Sequence, residues 1–396
     1  LAQPLEGVRV ADFSHVIAGP LATQFLCLLG AEVIKVEPPG GDVLRNYTQR
    51  KELRGMAEPF IGANAGKKSI ILDLKTDFGR EAARRLIATA DIMVENFRPG
   101  VIDRLGLGYE TVREINPGLI FCSISGYGQD GPMRDYPAID QIIQSVSGLM
   151  GLSGEPDSGP MRIGFPVVDT YSALLAAFAI QAAYIQRERD PERRGQYIDM
   201  SMLDASLVMM ASVVNPLVIS NIEPKRTGNR GFSLAPTADT FETAENAITI
   251  GAVQQYQYER LCAALGRPDL LSDPRFADPD SRMAHDRELQ AELAKTFMTK
   301  TALEWEAILS EAGVPAGAVR PVREVLKLPQ LEGRNLMLEV EVPNPAISRA
   351  TILNAGFRFA HDGPGVSAPP PLPGEHTDEI LSELGLSCQP EEGDPA

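Results

Sequence analysis

Hydrophobic and polar positions along the chain follow two rhythms. Short Val/Ile-rich runs at residues 7–12, 31–37, 69–74, 92–96, 119–125 and 195–201 read as strands. Between them lie runs with helical spacing, at 20–29 (opened by Pro20 and stopped by Gly30), 77–90 and 138–150. Strands that alternate with helices imply an α/β fold with a doubly wound parallel sheet. The longest apolar run, 172–185, is short for a membrane span, rich in Ala and interrupted by Gln181, so it reads as a buried helix. A further apolar helix is expected over 203–219.

The pattern changes at 224–229, where Pro, charge and Gly follow one another. Beyond it, 240–243 and 247–253 read as a hairpin, followed by short amphipathic helices. Thr301 and Glu304 have the spacing of a capping box, and Gly313 stops that helix. Strands are expected at 336–342 and 351–359. A stiff Pro-rich linker at 367–374 then delivers a last helix starting near His376. The domains read as 1–222 for the first part of a large domain, 223–335 for a small one, and 336–396 for a return segment with a C-terminal helix that joins the large domain.

With 396 residues the chain can bury the cores of two domains. Its net charge of -16 argues against nucleic acid and anionic membranes as partners, so an anionic ligand would need cations gathered locally. Cys27, Cys122, Cys262 and Cys388 are scattered without a C-x-x-C pair, which argues against structural zinc and suits a reducing compartment. No metal site is expected. Leu1-Ala-Gln-Pro-Leu-Glu6 lacks the basic and apolar regions of a signal peptide, so a cytoplasmic location is expected.

Asp169 is the sole charged residue between Arg162 and Arg187, and it stands where a Pro-containing lead-in meets an Ala/Leu-rich run. The plainer reading is a helix N-cap. The sharper one is a nucleophile, poorly hydrated and kept ionised by the helix dipole. A capping box would place Glu or Gln at 172, where the chain has Ser172. The loop from Phe13 to Gly19 is read as bringing backbone N–H groups to a helix start, a place suited to an anion. Gly126-Tyr-Gly128-Gln-Asp-Gly131 matches G-x-G-x-x-G after a strand, but Pro132 and polar residues follow where a helix should open. No acidic residue stands about 20 positions on, so the run reads as a loop.

Five stretches together resemble the class III coenzyme A transferases, the family of formyl-CoA transferase and carnitine CoA-transferase. They are Gly7 to Glu37, with Phe13, Ala18-Gly19-Pro20 and Leu29-Gly30; Asn64 to Lys75, with Lys67-Lys-Ser69; Glu95-Asn96-Phe97-Arg-Pro-Gly100 to Gly106; Arg194-Gly195 to Ala205; and Gly374-Glu-His376-Thr. The likeness runs essentially end to end. It implies a Rossmann-like large domain with a parallel sheet, a smaller α+β domain, and an interlocked homodimer. It implies an Asp nucleophile at Asp169 that exchanges CoA between an acyl-CoA thioester and a free carboxylic acid, through an aspartyl mixed anhydride and an aspartyl-CoA thioester. CoA would be a substrate, with no tightly bound cofactor. By the same resemblance, CoA contacts fall on His15, Val16 and Ala18 in the first loop, Leu72 and Lys75 in the second stretch, and Asn96, Phe97 and Arg104 in the third. The plain alternative for Lys75 and Arg104 is a solvated surface cation.

Departures bear on the substrate. Where formyl-CoA transferase carries a basic residue for the CoA diphosphate, this chain has Pro38, and where that enzyme has a second lysine it has Pro137. Arg45 or Arg98 are the replacements that the sequence suggests. The glycine run that closes over the formyl enzyme's site is absent, and residues 230–237 stand in its place. Succinyl-CoA with a dicarboxylic or hydroxy-acid acceptor is the closest fit. It would need a cation for the free carboxylate, for which Arg45, Arg162 and Arg230 are candidates. One alternative is an α-methylacyl-CoA racemase-like enzyme, but its Gly-His-Asp motif is replaced by Ala138-Ile139-Asp140. The other is a CoA-binding protein without turnover.

Overall fold

The computed structural model describes residues 3–387, and its chain divides into two compact units. One unit comprises residues up to 149, 163–220 and 332 onward; the other comprises 150–162 and 221–331. The sequence reading kept 150–162 with the large domain, whereas the structure groups this segment with the smaller unit. Cys388 and the end of the return segment lie outside the described residues.

Strands β1 (Arg9–Asp12), β2 (Glu32–Glu37), β3 (Lys68–Ile71), β4 (Ile92–Glu95), β5 (Ile120–Ser125) and β6 (Gln196–Ser201) form one sheet in the order β3-β2-β1-β4-β5-β6. Every neighbouring pair is parallel. β1, β4 and β5 are buried almost throughout, as strands covered on both faces must be. This strand order reverses direction between β1 and β4, and ligands of such sheets bind in the crevice beyond the strand ends there.

On one face, the helix Asp77–Thr89 and the C-terminal helix Thr377–Glu383 close a core around Phe13, Ile34, Leu86, Met93 and Phe121. On the other, the helix Val167–Arg189 buries Val168, Ser172, Ala173, Ala176, Ala177, Ile180 and Ala183, a stripe at helical spacing. It runs further than its apolar centre suggested. At 23 residues it is long and apolar enough to cross a membrane by length and composition. Its far side exposes Leu174, Phe178 and Ile185.

Two expected helices come in pieces. The helix over 138–150 is Asp140–Val146, ended by Gly148 in a left-handed conformation (φ +86°). The 203–219 helix is Met202–Met209 followed by Ala211–Ser220, bent by 82°. Pro216 removes a donor inside the second piece, but the bend falls earlier, at Met210, and no sequence signal marks it.

The second unit holds β7 (Thr240–Glu242), β8 (Ala247–Ile250) and β9 (Ala316–Ala318) in one antiparallel sheet. The first two are the expected hairpin; β9 is a three-residue strand too short to show a period. The core beneath it is built on Tyr258, Phe276, Phe297 and Trp305, whose indole N–H donates to the Phe297 carbonyl at 2.9 Å. The Thr301/Glu304 capping box is formed in both directions. In the first unit, β10 (Met337–Asn344) and β11 (Ile347–Leu353) pair as an antiparallel hairpin packed on Leu44, Met56 and Phe60. The 351–359 strand therefore stops at Leu353.

Candidate active site

A cavity of about 390 Å³ opens beyond the carboxyl ends of β1, β2, β3 and β4. Phe13, Ser14 and His15 line it from β1, Glu37 and Pro38 from β2, Leu72 to Lys75 from β3, and Phe97, Val101 and Leu105 from the segment after β4. Of the residues matched to CoA contacts, His15, Leu72, Lys75 and Phe97 meet in this wall. Val16, Ala18, Asn96 and Arg104 do not line it. The His15 and Phe97 rings lie 5.3 Å apart and tilted, a shape suited to a flat aromatic group. Burial lowers the pKa of His15, though nearby Asp42 opposes this, so the imidazole is largely neutral at pH 7.

The first loop behaves differently from the sequence reading. The N–H groups of Ser14, His15 and Val16 are not available to an anion, because carboxylates and an amide already engage them, whereas those of Ile17, Ala18 and Gly19 at the helix start have no acceptor among the described residues. Ser14 N–H donates to Asp12 Oδ1 at 3.0 Å, His15 N–H to Asn96 Oδ1 at 2.9 Å, and Val16 N–H to Asp42 Oδ1 at 3.3 Å. Asn96 also donates to the His15 carbonyl at 2.9 Å, and Lys35 Nζ to the Ser14 carbonyl at 2.8 Å. Val16 is held at φ +66°, a region that β-branched residues avoid. The family stretches around Asp12, Lys35, Lys67 and Asn96 thus build a rigid loop. Lys67 sits fully buried beneath it, paired with Asp12 Oδ2 at 3.0 Å and bonded to Pro20 O, Thr23 and Asn64. Asn96 acts by holding His15 in place, and Ala18 is a buried first residue of the helix Ala18–Leu28.

Two cations suggested by sequence have other duties. Arg45 is buried, forms a two-pronged pair with Glu37 at 2.6 and 2.7 Å, donates to the carbonyls of Gly55 and Pro371, and stacks 3.8 Å over the Phe60 ring. Four of its five N–H donors are engaged and its side chain is buried, so it is not placed to clasp a ligand. Arg230 is likewise tied to Asp239 at 2.9 Å and to both oxygens of Asp286. Lys75 is exposed at the cavity wall and has no ion pair among the described residues.

Asp169 lies outside this cavity, in the first turn of Val167–Arg189. It is not that helix's cap: the N-cap position is Pro166, which has no side-chain bond to offer. The capping is done from elsewhere. Asp140, at the start of Asp140–Val146, accepts with Oδ2 from Val168 N–H at 2.8 Å and from Asp169 N–H at 3.2 Å. Those are the donors that a cap side chain normally satisfies. Gln144 holds Asp140 by donating at 2.6 Å, and its own carbonyl oxygen accepts from Ile163 N–H at 2.9 Å. Sequence gave no sign of this arrangement, since Asp140 and Asp169 stand 29 positions apart.

No hydrogen bond reaches the Asp169 carboxylate among the described residues. Burial, and secondarily the Asp140 charge, push its pKa up from 3.8 to about 7. The helix dipole was expected to keep this group ionised; burial outweighs it. Ser172, one turn on, is fully buried with an unsatisfied hydroxyl. A half-buried carboxylate with free lone pairs and a raised pKa is a reactive arrangement in chemical terms: it is poorly solvated as an anion and so nucleophilic once the proton leaves.

The sequence profile of CoA-transferase family III matches residues 5–377. The chain is 37% identical, over 91% of its length and 92% of the relative's, to acetyl-CoA:oxalate CoA-transferase of Acetobacter aceti. It is 35% identical to succinate–glutarate CoA-transferase of Agrobacterium fabrum, over 96% of both chains. Among solved structures, a CaiB/BaiF family protein from Brucella suis superposes with a TM-score of 0.86 at 34% identity, covering 97% of this chain and all of that one. With a sheet order, an end-of-strand cavity and a full-length sequence match all in agreement, the chain belongs to CoA-transferase family III and is a CoA-transferase.

Proposed function

We propose that the enzyme moves coenzyme A between carboxylic acids with Asp169 as its nucleophile. The observation that carries this is the division of labour between Asp140 and Asp169: the cap is supplied by the first, which leaves the second carboxylate unengaged at a helix start. A carboxylate oxygen of Asp169 attacks the thioester carbonyl, the C–S bond breaks, and CoA leaves as thiolate. The thiolate then attacks the aspartyl carbonyl of the mixed anhydride and releases the donor acid as a carboxylate. The acceptor carboxylate attacks the aspartyl-CoA thioester, and the thiolate returns to the acceptor's acyl carbon. Asp169 is regenerated, and no net proton is taken up or released. The gain is one difficult exchange split into easier acyl transfers.

In this reading CoA is a substrate, not a resident cofactor. Its adenine packs beside Phe97, on the wall that His15 and Phe97 form together, and Lys75 meets its phosphates. The relatives' names, with oxalate, succinate and glutarate among them, favour a dicarboxylic acceptor, for which succinyl-CoA is the proposed donor. Neither Arg45 nor Arg230 can hold its free carboxylate, because each is fully committed to acids of its own. The exposed apolar side of Val167–Arg189, together with the exposed Val208, Val218 and Ile219 of the same unit, supports self-association, for which the interlocked homodimer of the family is the proposed form. Light scattering on the purified chain tests that part; a monomer at micromolar concentration would count against it.

The nucleophile is tested by incubating the enzyme with an acyl-CoA, trapping with hydroxylamine, and mapping the product by peptide mass. A hydroxamate on Asp169 is the expected result. A label at another residue, or none with active enzyme, rejects the assignment.

A further inference from the structure

The loop after β5 repeats the glycine pattern of a dinucleotide site without opening a helix, and the CoA-transfer reaction gives its glycines no task. The structure gives the loop a cargo. Gly128 N–H donates to Ser125 Oγ at 3.0 Å and Gln129 N–H to Asp199 Oδ2 at 2.9 Å, while Gly126 lies so close to Ala138 that a side chain there would collide with it. Thus pinned at both ends, the loop delivers Arg134 to Gly100, on the segment that carries Phe97, Val101 and Leu105 along the cavity wall. A Cβ built on Gly100 would stand 3.3 Å from Arg104 Nη1 and 3.3 Å from Arg134 Nη2. The two guanidinium groups therefore converge over one glycine, and their nitrogens lie no more than about twice that distance apart.

Like charges do not gather without a reason, least of all in a chain of net charge -16. Several other arginines of this unit are paired with acids, among them Arg9 with Glu383, Arg80 with Asp77, Arg85 with Glu81 and Arg187 with Asp91. Neither Arg104 nor Arg134 has a carboxylate or a hydrogen-bond acceptor for its guanidinium among the described residues, and Arg134 Nε is buried without a partner. Gly100 (φ +77°) supplies both the turn and the open space between them.

We infer that Arg104 and Arg134 form a two-arginine clamp for a phosphate group at the nucleotide end of coenzyme A. The inference rests on the CoA-transfer reading above and adds Arg134 to its binding residues. Planar guanidinium forks match phosphate oxygens in pairs, and a doubly charged phosphate offsets the repulsion between them. Arg134 stands three positions before Pro137, on the loop where the formyl enzyme's lysine is missing. The clamp thus restores a cation that the sequence comparison found lost, from a neighbouring position. Arg45, buried against Glu37, does not fill that role.

Isothermal titration of the full chain with CoA and with 3′-dephospho-CoA tests the clamp. Arg134→Ala and Arg104→Ala are each expected to weaken CoA about tenfold, the size of one charge-assisted contact. If dephospho-CoA binds the variants as it binds wild type, the clamp holds the 3′-phosphate; if both ligands weaken alike, it holds the diphosphate. If Arg134→Ala is too unstable to titrate, Arg134→Gln keeps the bulk and removes the charge. Wild-type affinity for both ligands in a folded Arg134 variant overturns the proposal. A wild-type protein that binds no CoA at all would overturn instead the reading on which the proposal stands.

Discussion

Asp140 accepts a hydrogen bond from the backbone of Asp169 at 3.2 Å while its charge opposes ionisation of the Asp169 side chain. One carboxylate therefore both fixes the start of the helix that carries the proposed nucleophile and raises the pKa of that residue's side chain. The two effects act on different steps. The hydrogen bond fixes the backbone from which the Asp169 side chain projects, and the charge shifts the pH at which that side chain ionises.

The pKa near 7 makes the reaction pH-dependent in a defined direction. Attack requires the anion, so the rate of thiol release should climb about tenfold per pH unit below neutrality and level off above about pH 7. Stopped-flow measurement of CoA thiol release in a single turnover reads this directly. A profile that is flat from about pH 5 to pH 8 would show that Asp169 is ionised throughout or is not the nucleophile.

Asp140→Asn separates the two effects. The amide oxygen can still accept from Val168 and Asp169 N–H and the charge is gone, at the cost of the bond that Gln144 donates to the other oxygen. The midpoint of the pH–rate curve should then move to lower pH, with a modest loss of rate at the plateau. Asp140→Ala removes the cap as well and is expected to destabilise the helix start by about 1 kcal/mol and to lower the plateau rate further. If Asp140→Asn leaves the midpoint in place, the charge coupling is absent.

Much of the scaffold was legible from sequence because it rests on local signals. The six parallel strands follow from Val/Ile runs, and the Thr301/Glu304 box and the Gly30 and Gly313 stops follow from short-range backbone chemistry. What sequence could not show is contact between distant positions. Asp169 looked like a cap because a cap is ordinarily local, and here it comes from Asp140. The N–H groups of Ser14, His15 and Val16 looked free because Asp12, Asn96 and Asp42 reach them from two to 81 positions' distance through the fold. Arg45 looked available to a ligand because its partner Glu37 is buried only once β2 and the 43–46 turn have formed. The resemblance located His15, Leu72, Lys75 and Phe97, and the fold alone brings them into one wall.

Placing a carboxylate where its folded pKa stands near 7, against 3.8 when unfolded, has a cost in stability. The folded chain binds this proton more tightly than the unfolded one, so stability falls as pH rises from about 4 to about 7 and stays reduced above that. Asp169→Asn removes the penalty. It should raise stability by about 1–2 kcal/mol at pH 8 and leave it nearly unchanged at pH 4, while abolishing exchange. Urea unfolding of both proteins at the two pH values measures the difference. An Asp169→Asn variant that is less stable at pH 8 would mean that the carboxylate has a structural partner.

The first loop offers a test of positioning against contact. Val16 at φ +66° is held by a single 3.3 Å bond from its N–H to Asp42, whereas Asn96 bonds both the N–H and the carbonyl of His15 at 2.9 Å. Val16→Gly relieves a strain of about 1–2 kcal/mol and loses a comparable amount to unfolded-chain entropy and side-chain contact, so its net effect on stability should be within about 1 kcal/mol. The loop remains clamped, and the KM for acyl-CoA should change little. Asn96→Ala frees both His15 backbone groups and lets the ring leave Phe97. It should raise that KM about three- to tenfold, though the Asn96 side chain does not line the cavity. Steady-state kinetics of the two variants decide the matter. Equal KM values would mean that the loop keeps its shape without the amide, and that its bonds to Asp12, Lys35 and Asp42 suffice.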